Sequence, residues 1–178
     1  MNSTVRDLLT FPDPVNGIAA RCTAGLVFML AAATLAAGAA AGSGMAGAGG
    51  VAVALAAVLF IGFVLRVISG PKLSPFGRLS VHFLAPLFGE PRLTSAAPKR
   101  FAQGIGVVFA AAALTALVAG APFVAVGILA VFLVAVGLEA FAGFCLGCWL
   151  YAQLQRGGVI ADDSCAECAD IWSRTPAR

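Results

Sequence analysis

Charge is what this chain lacks most. No Asp, Glu, Lys or Arg occurs from Cys22 to Leu65, and Glu139 alone occurs among the fifty-five positions from Phe101 to Gln155. Charged residues make up 11% of the chain and hydrophobic residues 61%, against about 25% charged in a soluble domain. A water-soluble fold is thereby excluded. Water cannot satisfy backbone groups inside lipid, so these stretches must cross it as helices. The formal charge of +3 is small, and no basic patch is interleaved with aromatic residues, which excludes nucleic acid as a partner. Histidine is nearly missing. His82 is the only one, and it reads as an interfacial polar residue rather than a ligand.

What fills the apolar stretches is largely alanine and glycine. Small residues favour close helix–helix approach, within one chain or between copies of it. Four spans are predicted, over about residues 18–41, 51–68 and 101–119, and from Pro122 onward. Residues 42–50 form a Gly-rich turn between the first two spans, since glycine supplies the backbone angles a tight turn needs. Gly120-Ala121-Pro122 makes the second turn, with the proline suited to the first turn of a helix. No strong breaker follows until Gly157-Gly158, so the fourth helix is expected to run about thirty-five residues and to project beyond the hydrocarbon. The first span resembles a signal peptide only superficially. Asp7 and Asp13 stand beside Arg6 in its leader, and a second apolar run follows at once, so cleavage is not expected.

The expected architecture is all-α: an integral membrane four-helix bundle over residues 1–156 and a short tail over residues 157–178. The long connection between spans two and three holds Pro71, Pro75, Pro86, Pro91 and Pro98. Residues 76–85 mix apolar positions with Arg78, Ser80 and His82, which predicts a short amphipathic helix in the membrane interface, bracketed by Pro75 and Pro86. Both short turns lack charge, and all the Lys and Arg residues fall on the other side. The positive-inside rule then puts both termini, the long connection and the tail in the cytoplasm of a multi-pass inner-membrane protein.

Four of the five cysteines form two C-x-x-C pairs, Cys145/Cys148 and Cys165/Cys168; the fifth is Cys22. All five are expected at one membrane surface. The cytoplasm is reducing, which disfavours permanent disulfides and favours redox or metal work. Cys145 and Cys148 are the candidate reactive pair, sharing one face of a helix. The acidic residues around Cys165 and Cys168 oppose ionisation of those thiols. The full spacing, C-x2-C-x16-C-x2-C, also suits a non-enzymatic four-cysteine site for zinc or another metal, made by Cys145, Cys148, Cys165 and Cys168, that anchors the tail to the bundle or belongs to a small metal or sulfur-compound carrier. The sequence demands no cofactor, and zinc is the one it would accommodate. A third reading takes the cysteines as small apolar fillers.

Glu139 lies about 26 Å along the fourth helix, near its cytoplasmic end. A carboxylate at that depth is costly. Pairing with Arg66 or Arg21, at similar depth, is expected, with a proton or substrate role as the alternative. On a continuous helix Glu139 points about 150° away from the cysteine face. It therefore cannot serve the thiols unless the helix unwinds at Gly143 or Gly147. Gly143 and Gly147 also form a small-x3-small pair suited to close packing, and Gln103 is a candidate for an interhelical hydrogen bond.

Three segments in order, Gly70-Pro71-Lys72-Leu73-Ser74-Pro75, Arg100-Phe101-Ala102-Gln103-Gly104-Ile105-Gly106 and Cys145-Leu146-Gly147-Cys148, resemble the bacterial membrane family catalogued as domain of unknown function 4395. The resemblance runs from about Asp13 to Tyr151. It implies four spans and a genomic setting near thioredoxin-like proteins and sulfurtransferases, hence thiol or sulfur chemistry with such partners. It carries no assigned activity.

Overall fold

The computed structural model describes residues 14–90 and 92–160. Four helices in it are long and apolar enough to cross a membrane. Helix α1 (Gly17–Gly42) is started by Asn16, whose side-chain oxygen accepts the backbone N–H groups of Ile18 and Ala19, satisfying donors that the first helical turn leaves free. Helix α2 (Ala48–Ser69) follows a turn in which Gly44 and Gly47 take positive φ. Helix α4 (Ala96–Val118) follows the long connection. Helix α5 (Pro122–Gly137) begins on Pro122 and continues through a π-helical turn, Leu138–Ala142. Helix α1 packs on α2 and α5, and α4 on the same two, so two helical hairpins close into a square bundle.

The bundle is built with small residues inside. Ala31, Ala52, Ala56, Ala110, Ala113 and Ala125 are buried, whereas Met29, Val58, Ile61, Val108, Val131 and Val134 face outward. Inside lipid the outer face loses nothing by being apolar, so helix association depends on close packing, which small residues permit. Gly106 shows the point: a Cβ there would collide with the Phe63 ring. Leu59, Phe63, Leu129 and Phe132 fill the space between the alanine positions. The buried hydroxyls of Thr23, Thr34 and Ser69 each donate to the carbonyl four residues back in their own helix, which removes their polar cost.

The connection between α2 and α4 is helical over a longer stretch than residues 76–85. Ser74 caps α3 (Pro75–Leu79), which passes into a π turn at Ser80–Leu84 and a 3-10 turn at Ala85–Phe88. Pro75 starts the run as expected, but Pro86 does not end it. The backbone bond pattern changes just before Pro86, with Ala85 N–H reaching back to the Ser80 carbonyl. The missing proline donor is thus accommodated instead of breaking the turn. A two-residue ladder, β1 (Val15–Asn16) against β2 (Leu93–Thr94), was not expected from sequence. It ties the start of α1 to the approach to α4, reinforced by Gly17 N–H to the Arg92 carbonyl at 2.7 Å.

Candidate functional site

The fourth span does not run on to Arg156 as one helix. It breaks at Gly143, which adopts φ +70°, a left-handed conformation that costs glycine almost nothing. The break is prepared by the π turn, whose end is closed by Gly143 N–H and Phe144 N–H on the Leu138 carbonyl. The Arg21 guanidinium of α1 takes up freed carbonyls, donating to Ala140 and Phe141 at 3.5 and 3.2 Å. The chain then starts a separate helix, α6 (Leu146–Arg156), that packs on the first turns of α4. Gly147 lies against Ala102, and the Tyr151 ring meets Phe101 at 5.5 Å between centroids.

This break decides where the thiols stand. Cys145 is the N-cap of α6, with extended backbone, and its sulfur accepts the N–H of Cys148 at 3.3 Å. A helix N-terminus favours negative charge. The two side chains also interact with one another through a hydrogen bond. That hydrogen bond holds Cys145 below the ordinary thiol range, against burial and the Glu139 charge and with help from Lys99. The same bond pushes Cys148 well above it, and burial adds to the shift. The two thiols are therefore unequal: one is prepared to ionise, the other to keep its proton.

Glu139 pairs with neither Arg66 nor Arg21. Its Oε1 lies 2.6 Å from Lys99 Nζ on α4, with both side chains largely shielded. The physical reason lies in the competing partners. Arg21 is occupied by the carbonyls of the π turn. Arg66, 5% exposed, donates from Nε to the Gly62 carbonyl at 3.2 Å and lies over the Phe63 ring at 4.6 Å. Arg100 turns the other way, its Nε donating to the Val67 carbonyl on α2. Lys99 is left facing the α5 turn, and sequence reasoning missed it because lysine at a helix start usually reaches for water.

Unwinding at Gly143 also removes the 150° separation expected of a continuous helix. The charges of Lys99 and Glu139 both act on Cys145 and Cys148. Four groups from three helices thus form one constellation; one turn beyond Lys99 on α4, the buried Gln103 Oε1 has no hydrogen-bond partner among the described residues. Cys22, on α1, is a free thiol and is not joined to the pair. His82 is exposed on the connecting segment, away from the bundle core. Cys165 and Cys168 lie outside the described residues, and so does the second half of the four-cysteine set. Among the described residues no group of three or more His, Cys, Asp or Glu could hold a metal.

The chain belongs to the family described as domain of unknown function 4395, whose model matches residues 15–156. Neither the curated proteins nor the solved structures gave a match.

Proposed function

We propose that this is a membrane thiol protein in which Cys145 and Cys148 cycle between dithiol and disulfide, or carry a persulfide, in exchange with soluble thioredoxin-like or sulfurtransferase partners. One observation carries the reading: Cys145 caps a helix N-terminus and is hydrogen-bonded by Cys148 one turn on. That arrangement supplies what thiol exchange needs, a stabilised attacking thiolate and a protonated second thiol beside it. Packing alone asks for neither.

The orientation follows from charge. Arg21, Arg66, Lys99, Arg100 and Arg156 occur at the helix ends on the dithiol side, whereas residues 43–47 and 119–121 carry no charge. The dithiol side then faces the cytoplasm of a bacterial cell. The connecting segment lies in the interface of the same leaflet, where its exposed Leu79, Phe83, Leu87 and Phe88 enter the lipid.

Mild oxidation followed by alkylation and peptide mass spectrometry tests the function. Cys145 and Cys148 should become protected together and be released by reductant. Free alkylation of both under every redox condition ends the proposal, and about one zinc per chain retained through dialysis would favour the four-cysteine site instead. For orientation, a cysteine introduced at Ser43 or Gly120 should react with an impermeant maleimide on intact cells, and one at Gly158 should not.

A further inference from the structure

We infer that the Lys99–Glu139 ion pair regulates the charge of the dithiol, Lys99 supporting the thiolate and Glu139 restraining it. This rests on the thiol-exchange reading above and gives that site two further positioning residues.

The geometry is specific. The pair bridges α4 and the π turn of α5 at 2.6 Å. The break at Gly143 then brings α6 onto the same turns of α4, where Gly147 meets Ala102, one turn beyond Lys99. The ammonium and the carboxylate act on both thiols with opposite signs. Three neighbouring cations are bonded elsewhere. Arg21 of α1 is bonded to the π-turn carbonyls, Arg66 of α2 to Gly62, and Arg100 of α4 to Val67. Cys22 of α1 and Tyr151 and Arg156 of α6 are the other titratable groups on the elements around the pair.

In a structural ion pair the two members are equivalent, because losing either strands the other. Beside a dithiol they are not equivalent. The Cys145 thiolate attacks a partner disulfide RS–SR′, forming Cys145–S–S–R and expelling R′S⁻. Cys148 then attacks the Cys145 sulfur, forming the internal disulfide. The RS⁻ leaving group departs with the Cys148 proton as RSH. The protein is oxidised by two electrons and the partner disulfide is reduced. Negative charge is present at Cys145 before the first step and gone after it. A cation nearby therefore favours the attacking form, and an anion nearby opposes it.

The test is the pH dependence of Cys145 alkylation by iodoacetamide in the full-length protein in detergent, read separately from Cys148 by mass spectrometry. Lys99→Met should slow alkylation at neutral pH roughly tenfold and move its midpoint up, and Lys99→Arg should restore most of the rate. Glu139→Gln should do the reverse, speeding alkylation roughly threefold and moving the midpoint down. If Lys99→Met does not fold, the Lys99→Met/Glu139→Gln double variant, which strands no charge, must react more slowly than Glu139→Gln alone. Both single substitutions acting in one direction, or neither acting, would overturn the assignment. Disulfide formation on mild oxidation is scored in the same samples. A wild-type pair that oxidises while all pH profiles coincide removes this inference and leaves thiol exchange standing. A wild-type pair that never oxidises removes thiol exchange itself, and this inference with it.

Discussion

Gly147 rests on Ala102 so closely that a Cβ on the glycine would lie 2.5 Å from the alanine Cβ and 2.7 Å from its Cα. The obstacle is backbone, not the end of a flexible side chain, so α6 can seat on α4 only with glycine at this position. Gly147→Ala should push α6 outward and cost about 1–3 kcal/mol, the usual range for overpacking. Thermal unfolding in detergent measures the cost. The same variant should alkylate faster at Cys148, because the thiol loses its cover. A variant as stable and as slowly labelled as the wild type would mean that α6 is not held there.

The break at Gly143 makes a separate demand. An L side chain at φ +70° is strained, and its Cβ would also meet the Arg21 guanidinium at 3.2 Å. Gly143→Ala should lose about 1–2 kcal/mol for the backbone alone and should favour the straight helix. Asparagine tolerates the left-handed region better, so Gly143→Asn should lose less. Helical straightening would leave Cys145 and Cys148 on one face but remove the helix N-terminus at Cys145 and carry both thiols away from Lys99, so Gly143→Ala should also move the Cys145 alkylation midpoint up. Equal stability of the alanine and asparagine variants would refute the conformational argument.

The same glycine marks the boundary of what the sequence discloses. The spans are legible because lipid admits few alternatives. Residues 18–41, 51–68 and 101–119 were expected, against Gly17–Gly42, Ala48–Ser69 and Ala96–Val118. The start at Pro122 is legible because proline fits only the first turn there. Gly143 was identified as a place where the helix could unwind, but local propensity does not decide it. The break is selected by contacts from α1 and α4, namely Arg21 on the freed carbonyls and Ala102 under Gly147. Pairing at Glu139 was legible as a need for a cation, and not as a choice among four. That choice depends on which cations are already bonded elsewhere, which is a property of the folded bundle. The β1–β2 ladder is too short to leave a periodic pattern.

Stability and reactivity should separate at the ion pair. Lys99 and Glu139 are 14% and 22% exposed, so removing one leaves the other largely shielded and uncompensated. Either Lys99→Met or Glu139→Gln should destabilise the protein, on the order of 3 kcal/mol for the more damaging of the two. The double variant should recover most of the loss, since no charge is stranded. Thermal unfolding of the four proteins gives the coupling directly. Additive losses, with no recovery in the double variant, would show that the two charges do not compensate one another. The two losses share a sign, whereas the expected changes in Cys145 reactivity oppose each other.

The inequality of the two thiols yields the last prediction. Alkylation follows the thiolate fraction, so each rate rises with pH through the thiol's own pKa and then levels. Cys145 is held below the ordinary thiol value, about 8.5, chiefly by the hydrogen bond from Cys148; Cys148 is raised chiefly by the same bond and further by burial. At neutral pH iodoacetamide should therefore label Cys145 first, and Cys148 should lag. Each single replacement then has a defined sign. Cys148→Ala removes the donor, so the Cys145 midpoint should rise toward or past the ordinary value. Cys145→Ala removes the acceptor, so the Cys148 midpoint should fall, though burial should keep it above that of an exposed cysteine. If Cys148→Ala leaves the Cys145 profile in place, the hydrogen bond between the thiols is not what stabilises the thiolate. The helix N-terminus and Lys99 would then have to supply the whole effect.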